Sequence, residues 1–258
     1  MDPFFIPHRP LLLAHRGASG HAPELTMAAF RLAAAMHADG CELDVQLSAD
    51  GHVAVFHDET LRRTTGRPER LDSLNWTDLQ ELDAGRWFSS TFTGERIPGL
   101  EQILRLEPRT WRLNIELKGT PSPRLLAERV AELVHHEPHP ERLIFTSFDP
   151  EALSHLATLM PKARRGLIFA HQWPQDEALA AWPIWSVEQS LLTRTRIQQA
   201  HARGIRVCAW TVNSVEAMRH LMALGVDAII TNYPDRYHQA WSIFSAENEN
   251  SLDFNVKK

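Results

Sequence analysis

A chain of 258 residues with 43% apolar and 23% charged residues has the composition of a globular protein that can bury a full core. Its formal charge of −5 argues against nucleic acid or an anionic membrane as a partner, but not against a small anion held in a local cationic pocket. Cys41 and Cys208 lie in apolar strand-like runs and read as buried free thiols, not a disulfide framework. Residues 1–7 lack the basic and long apolar regions of a signal peptide, and no transmembrane span is evident, so the cytoplasm is the expected location.

The apolar run 11–14 predicts a buried parallel strand that ends in His15, Arg16 and Gly17. Residues 24–38 predict a helix, with Leu25, Ala28, Ala29, Leu32 and Met36 near helical spacing and Gly40 as a stop. Residues 41–47 predict a second strand, and 53–56 a short one ending in His57. From 59 to 108 the rhythm breaks: there are four glycines, one short helix near 77–82, and aromatic anchors at Trp76, Trp87, Phe88 and Phe92. A loop of that length needs internal packing, so it is read as an inserted subdomain capping one end of the sheet. Strands resume at 111–117 and 142–147, each followed by a helix that opens on proline, at Ser122-Pro123 and Asp149-Pro150. Further strands start at Arg165, Trp182, Ile205 and Ala228; helices over 193–203 and 214–224, ended by Gly204 and Gly225, separate the last three. Eight strand–helix units predict a single (β/α)8 TIM barrel over 8–245, with 59–108 inserted after the second strand and 246–258 a polar, frayed tail. An open doubly wound sheet is the alternative. It is disfavoured because no Gly-x-Gly-x-x-Gly follows the first strand.

The chemistry gathers at strand ends. Glu42 and Asp44 are two residues apart, so they point the same way, and in an interior strand that direction is into the barrel. Buried carboxylates without counter-charge are costly. A divalent cation would resolve the cost, with Glu116 as a third oxygen ligand, and oxygen-only ligation favours Mg²⁺, Ca²⁺ or Mn²⁺ over zinc. The alternative is a structural ion-pair network with Arg16 and Lys118. His15 and His57 frame the cluster as candidate general acid and base. Arg16 and Lys118 suit a phosphate oxyanion. Trp210, closing the seventh strand, is either a wall of the substrate pocket or rim packing. His135, His136 and His139 match no standard ligand spacing and read as a surface loop.

His15-Arg16-Gly17, Pro23-Glu24, Glu42-Leu43-Asp44-Val45, Asp50-Gly51, His57-Asp58, Arg63-Thr64-Thr65-Gly66, Ile97-Pro98-Gly99-Leu100, Ile115-Glu116-Leu117-Lys118, Thr146-Ser147-Phe148, Trp210-Thr211-Val212-Asn213 and Gly225-Val226-Asp227 occur in an order that resembles the glycerophosphodiester phosphodiesterase family. The compact size looks most like the bacterial cytoplasmic members. The resemblance implies a (β/α)8 barrel that hydrolyses glycerophosphodiesters, such as glycerophosphocholine or glycerophosphoethanolamine, to sn-glycerol 3-phosphate and an alcohol. It gives Glu42, Asp44 and Glu116 to one divalent cation, His15 and His57 to acid–base catalysis, and Arg16 and Lys118 to the phosphate. The partner is then a small-molecule substrate, with no nucleic acid and no stable membrane association; the oligomeric state stays open. Two departures stand out: Leu25 where the family often has Asn, and Asn232 where it often has Asp. Both are expected to leave the acid, base and ligands untouched and to bear on the fine structure of the first and last βα loops and on substrate preference. A membrane-directed phospholipase of the phosphatidylinositol-specific or sphingomyelinase D type and a non-catalytic phosphoglycerol binder are the competing readings. The first wants exposed apolar or basic surface, and the second has no need of two histidines around an ion.

Overall fold

The computed structural model describes residues 2–5, 8–106, 111–119, 121–174, 179 and 181–256, with 249–256 as backbone. Eight parallel strands form the barrel: β1 (Leu11–His15), β2 (Gly40–Leu47), β4 (Arg112–Leu117), β5 (Leu143–Ser147), β6 (Arg164–Phe169), β7 (Ile184–Glu188), β8 (Arg206–Trp210) and β9 (Ala228–Thr231). β1 pairs with both β2 and β9, which closes the ring and removes the open-sheet alternative. The short β3 (Val53–Val55) is antiparallel to β2 and stands outside the ring as the extra strand.

Alternation along β1 sorts its side chains between two cores. Leu11 and Leu13 join Ile144, Ile184, Cys208, Ala228 and Ile230 inside the barrel, while Leu12 and Ala14 pack in the layer shared with the helices. Phe4 and Phe5 belong to the inner cluster, and the Arg112 guanidinium at the start of β4 donates to the Phe4 carbonyl at 2.5 Å. The N-terminal residues therefore close the end where the strands begin, and the opposite mouth stays open for chemistry. Both cysteines are buried and free.

The helix expected over 24–38 is shorter, Met27–Ala35. Leu25 takes φ 55° and Thr26 is extended, its hydroxyl accepting from the Ala29 N–H at 3.3 Å, so the chain turns and caps before the helix can start. Asp149 and Ser214 cap Pro150–Leu159 and Val215–Leu224 in the same way. Residues after β3 carry a small core of their own, in which Phe56, Leu61, Leu71, Leu79 and Ile97 are buried together. The stretch from Ala246, expected to fray, continues the helix Pro234–Val256; Arg219 pairs with Glu247 and anchors it to the preceding helix.

Candidate active site

Strand register stacks the polar residues in layers at the open mouth. His15 lies beside Glu42, and Glu42 beside Asn114; one layer up, Asp44 lies beside Glu116, and Glu116 beside Thr146. At the end of β1, Arg16 and Gly17 both take left-handed backbone, φ 56° and 78°. Gly17 is required there, because a Cβ would sit 2.7 Å from the Ala29 backbone. Arg16 bears the same strain as a non-glycine residue, a conformation that persists only where its surroundings over-determine it. Its N–H donates to the Glu42 carbonyl at 2.9 Å, Nη1 meets Glu24 at 2.9 Å, and Nε lies 3.2 Å from Asp44 Oδ2.

Glu42, Asp44 and Glu116 are buried, and one oxygen from each lies within 4.8 Å of the others. Lys118 Nζ reaches Glu116 at 2.9 Å and Asp44 at 3.5 Å. The ion-pair network therefore exists, but it does not neutralise the site. Burial, then the charges of Asp44 and Glu116, raise the Glu42 carboxyl well above its usual range. Burial and Asp44 push Glu116 up to about 7 despite Lys118. Asp44 Oδ2 is buried and ion-paired with Arg16 Nε at 3.2 Å, but the two atoms are not aligned for a hydrogen bond and neither makes one elsewhere. A cluster of hard oxygens that resists full ionisation and keeps one buried oxygen free of hydrogen bonds fits a divalent cation, and among the described residues it is the one acidic or histidine group arranged to hold one.

His15 Nδ1 lies 2.7 Å from the Asn232 side-chain oxygen. An amide oxygen only accepts, so Nδ1 carries the proton and Nε2, 3.8 Å from Glu42, keeps its lone pair. Burial and the neighbouring Arg16 lower His15 to about 4, so it is neutral at ordinary pH. His57 Nδ1 instead faces a carboxylate, Asp58, at 2.7 Å. Burial lowers His57 as well, with Asp44 and Asp58 opposing. The Gln46 amide nitrogen donates to the carbonyls of Phe56, His57 and Asp58 at 2.9, 3.0 and 2.9 Å. Two hydrogens serve three acceptors, which pins the His57 backbone to β2. A cavity of about 190 Å³ opens onto Arg16, Glu42, His57, Glu116 and Lys118, with Phe148, Ile168, Trp210 and Ile230 as its apolar lining. Trp210 stands perpendicular to Phe148, ring centres 5.9 Å apart, so it walls this cavity. Thus His15, Arg16, Glu42, Asp44, His57, Glu116, Lys118 and Trp210 all converge at one mouth. His135 and His136 pack edge to face on each other, and His139 meets Glu141, away from this site.

Residues 15–236 match the model of the glycerophosphoryl diester phosphodiesterase family. The chain belongs to that family. The Bacillus subtilis (strain 168) protein YhdW is 37% identical over 232 residues, covering 87% of this chain and 95% of the relative. A glycerophosphodiester phosphodiesterase of Caldanaerobacter subterraneus subsp. tengcongensis is 33% identical, covering 88% and 96%. Among solved structures, an Oleispira antarctica phosphodiesterase in complex with the product sn-glycerol-3-phosphate superposes with a TM-score of 0.86 at 30% identity, covering 91% of this chain and 97% of that one. This chain is an enzyme of the phosphodiesterase family, built as a TIM barrel. Among the described residues, no helix is long and apolar enough to cross a membrane.

Family membership sharpens the two departures. Leu25 occupies a left-handed backbone that Asn tolerates better, at a cost of about 1–2 kcal/mol for an ordinary residue. Leu25 is also buried in the outer core, and burying a leucine contributes roughly 1.5–3 kcal/mol. Burial outweighs strain, so the turn survives. Asn232 overturns the expectation that the acid–base pair is untouched, because it is the hydrogen-bond partner of His15. The sequence signal was the departure itself; what it lacked was the contact across the barrel seam. Asn232→Ala is expected to lower kcat by about 10- to 100-fold with KM nearly unchanged, as the ring loses its oriented tautomer. Asn232→Asp, which still accepts from Nδ1, is expected to retain most of the rate. Steady-state kinetics of the two variants check this, and equal losses in both would count against it.

Proposed function

We propose that this enzyme hydrolyses glycerophosphodiesters to sn-glycerol 3-phosphate and an alcohol, using His15 and His57 for proton transfer. The observation that carries this reading is that His57, Arg16, Lys118, Glu42 and Glu116 line one small cavity, with His15 beside Glu42 and Asp44 completing the carboxylate cluster behind it. The product bound in the Oleispira antarctica relative supports the substrate class.

Arg16 and Lys118 face the cavity as fixed positive charges and would bind the non-bridging phosphate oxygens, with charge compensation growing as the phosphorus becomes more negative. Glu42, Asp44 and Glu116 would hold a divalent cation, Mg²⁺, Ca²⁺ or Mn²⁺, which when bound supplies Lewis-acid stabilisation of phosphate charge. The histidines differ in their supports. His15, tied to a neutral amide, holds a free lone pair on Nε2 and would take the proton from the nucleophile. His57, tied to the Asp58 carboxylate, is the better place for an imidazolium and would protonate the departing alkoxide. The Phe148 and Trp210 side would receive the carbon skeleton of the substrate.

The test is release of glycerol 3-phosphate from glycerophosphocholine and glycerophosphoethanolamine, after chelation and then with each ion restored separately. Activity that disappears with chelator and returns with an ion is the expected result. A folded protein silent under all three ions would overturn the reading.

A further inference from the structure

Arg63 sits outside the cavity, in the short helix Arg62–Thr65 of the inserted segment. Its guanidinium makes a two-point contact with each of two carboxylates. Nε and Nη2 donate to Asp58 at 2.7 and 3.0 Å, and Nη1 and Nη2 donate to Glu24 at 2.7 and 2.8 Å. Both carboxylates go on to hold a residue of the site. Asp58 accepts from His57 Nδ1 at 2.7 Å, and Glu24 accepts from Arg16 Nη1 at 2.9 Å. The result is an unbroken chain: Arg16, Glu24, Arg63, Asp58, His57. We propose that Arg63 is a positioning residue that couples the phosphate-binding arginine to the acid–base histidine. The proposal rests on the roles given above to Arg16 and His57.

Three features separate this arrangement from an ordinary surface ion pair, which contributes little. Glu24 and Asp58 are mostly buried, with side chains 14% and 24% exposed, so their rotamers are set by the arginine between them. Without it, two like-charged carboxylates would face each other across the loops after β1 and β3. Arg63 also lies over the Trp87 ring, 5.8 Å from its centre, and the Trp87 indole N–H is tied to the Ala84 carbonyl at 2.9 Å. The inserted segment thus holds the guanidinium on a third side. Finally, the job needs a planar fork. A lysine carries the charge but cannot make two bidentate contacts at once. Against burial, the hydrogen bonds from Arg63 and His57 hold Asp58 down at about 2, which keeps it an acceptor for His57 over the whole working pH range.

The coupling predicts a specific kinetic signature. Arg63→Gln is expected to lower kcat about 10-fold or more, through His57, and also to raise KM about 10-fold, through Arg16, the size of loss typical when an orienting partner is removed. Arg63→Lys should recover only part of either. Arg67→Gln, at a surface arginine paired with Glu69 in the same segment, should match wild type. In the Asp58→Asn background, Arg63→Gln should cost little further kcat, because its route to His57 is already cut. Independent losses in that cycle, or wild-type kcat and KM in a folded Arg63→Gln protein, would overturn the proposal. A readout that needs no turnover is the imidazole ¹⁵N spectrum of His57. A single Nδ1–H tautomer in wild type that becomes a mixture in Arg63→Gln supports the coupling, and an unchanged spectrum refutes it. If wild type fails to hydrolyse any glycerophosphodiester, the activity reading falls while the spectrum still decides the coupling.

Discussion

His57→Ala is expected to lower turnover of glycerophosphocholine by about 10²- to 10⁴-fold, the range general acid–base groups contribute. His15→Ala is expected to fall in the same range. The two should part company when the leaving group changes. If His57 protonates the departing alkoxide, a glycerophosphodiester of p-nitrophenol, whose anion leaves without a proton, should recover most of the lost rate in His57→Ala. His15→Ala should recover nothing, because activation of the nucleophile is still needed. The physical basis is the asymmetry of their supports, a carboxylate for His57 and a neutral amide for His15. Recovery in the His15 variant instead would exchange the two roles. Near-normal activity in either variant with glycerophosphocholine would remove that histidine from the chemistry.

Removing the cation is the second large effect. Chelation is expected to abolish turnover, and Glu42→Gln to raise the ion concentration needed by about 10- to 100-fold. The same cluster predicts a pH signature with a definite sign. In the ion-free protein Glu116 is held up to about 7, above its ordinary value of 4.5, so between those values the folded state binds a proton that the unfolded chain has released. That contribution to stability is complete below the ordinary carboxyl range and is lost as pH rises through about 7. An ion ligated by the carboxylates replaces the proton and removes the loss. The gap in Tm between ion-saturated and chelated protein should therefore widen from about pH 5 to about pH 8, and ion binding near pH 6 should release protons. A gap that stays constant with pH, or ion binding without proton release, would move the ion away from this cluster.

Much of this architecture is legible along the chain because it is local. Leu11, Leu13 and His15 alternate with Leu12 and Ala14, and that period alone says which side chains share a face. Ser122-Pro123 and Asp149-Pro150 announce helix starts that appear at Pro123 and Pro150. Glu42 and Asp44 are on one face of β2 for the same reason, and both are buried there. Where the local pattern misled, a single residue decided it. The helical spacing of Leu25 suggested a helix that its left-handed backbone forbids, since a cap at Thr26 competes with the helix for the same residues.

The order of motifs and their strand-end positions were enough to give the barrel and to bring three carboxylates and two histidines to its mouth. Only closure of the barrel decided what holds those groups. Asn232 reaches His15 across 217 residues because β9 pairs with β1 at the seam, and no period or spacing in the sequence encodes that meeting. Arg63 reaches Glu24 across 39 residues because the inserted segment folds back over the first loop. Side-chain direction within a strand follows from backbone geometry two residues at a time. Partnership between strand ends follows from register and closure, which the whole packed core sets at once.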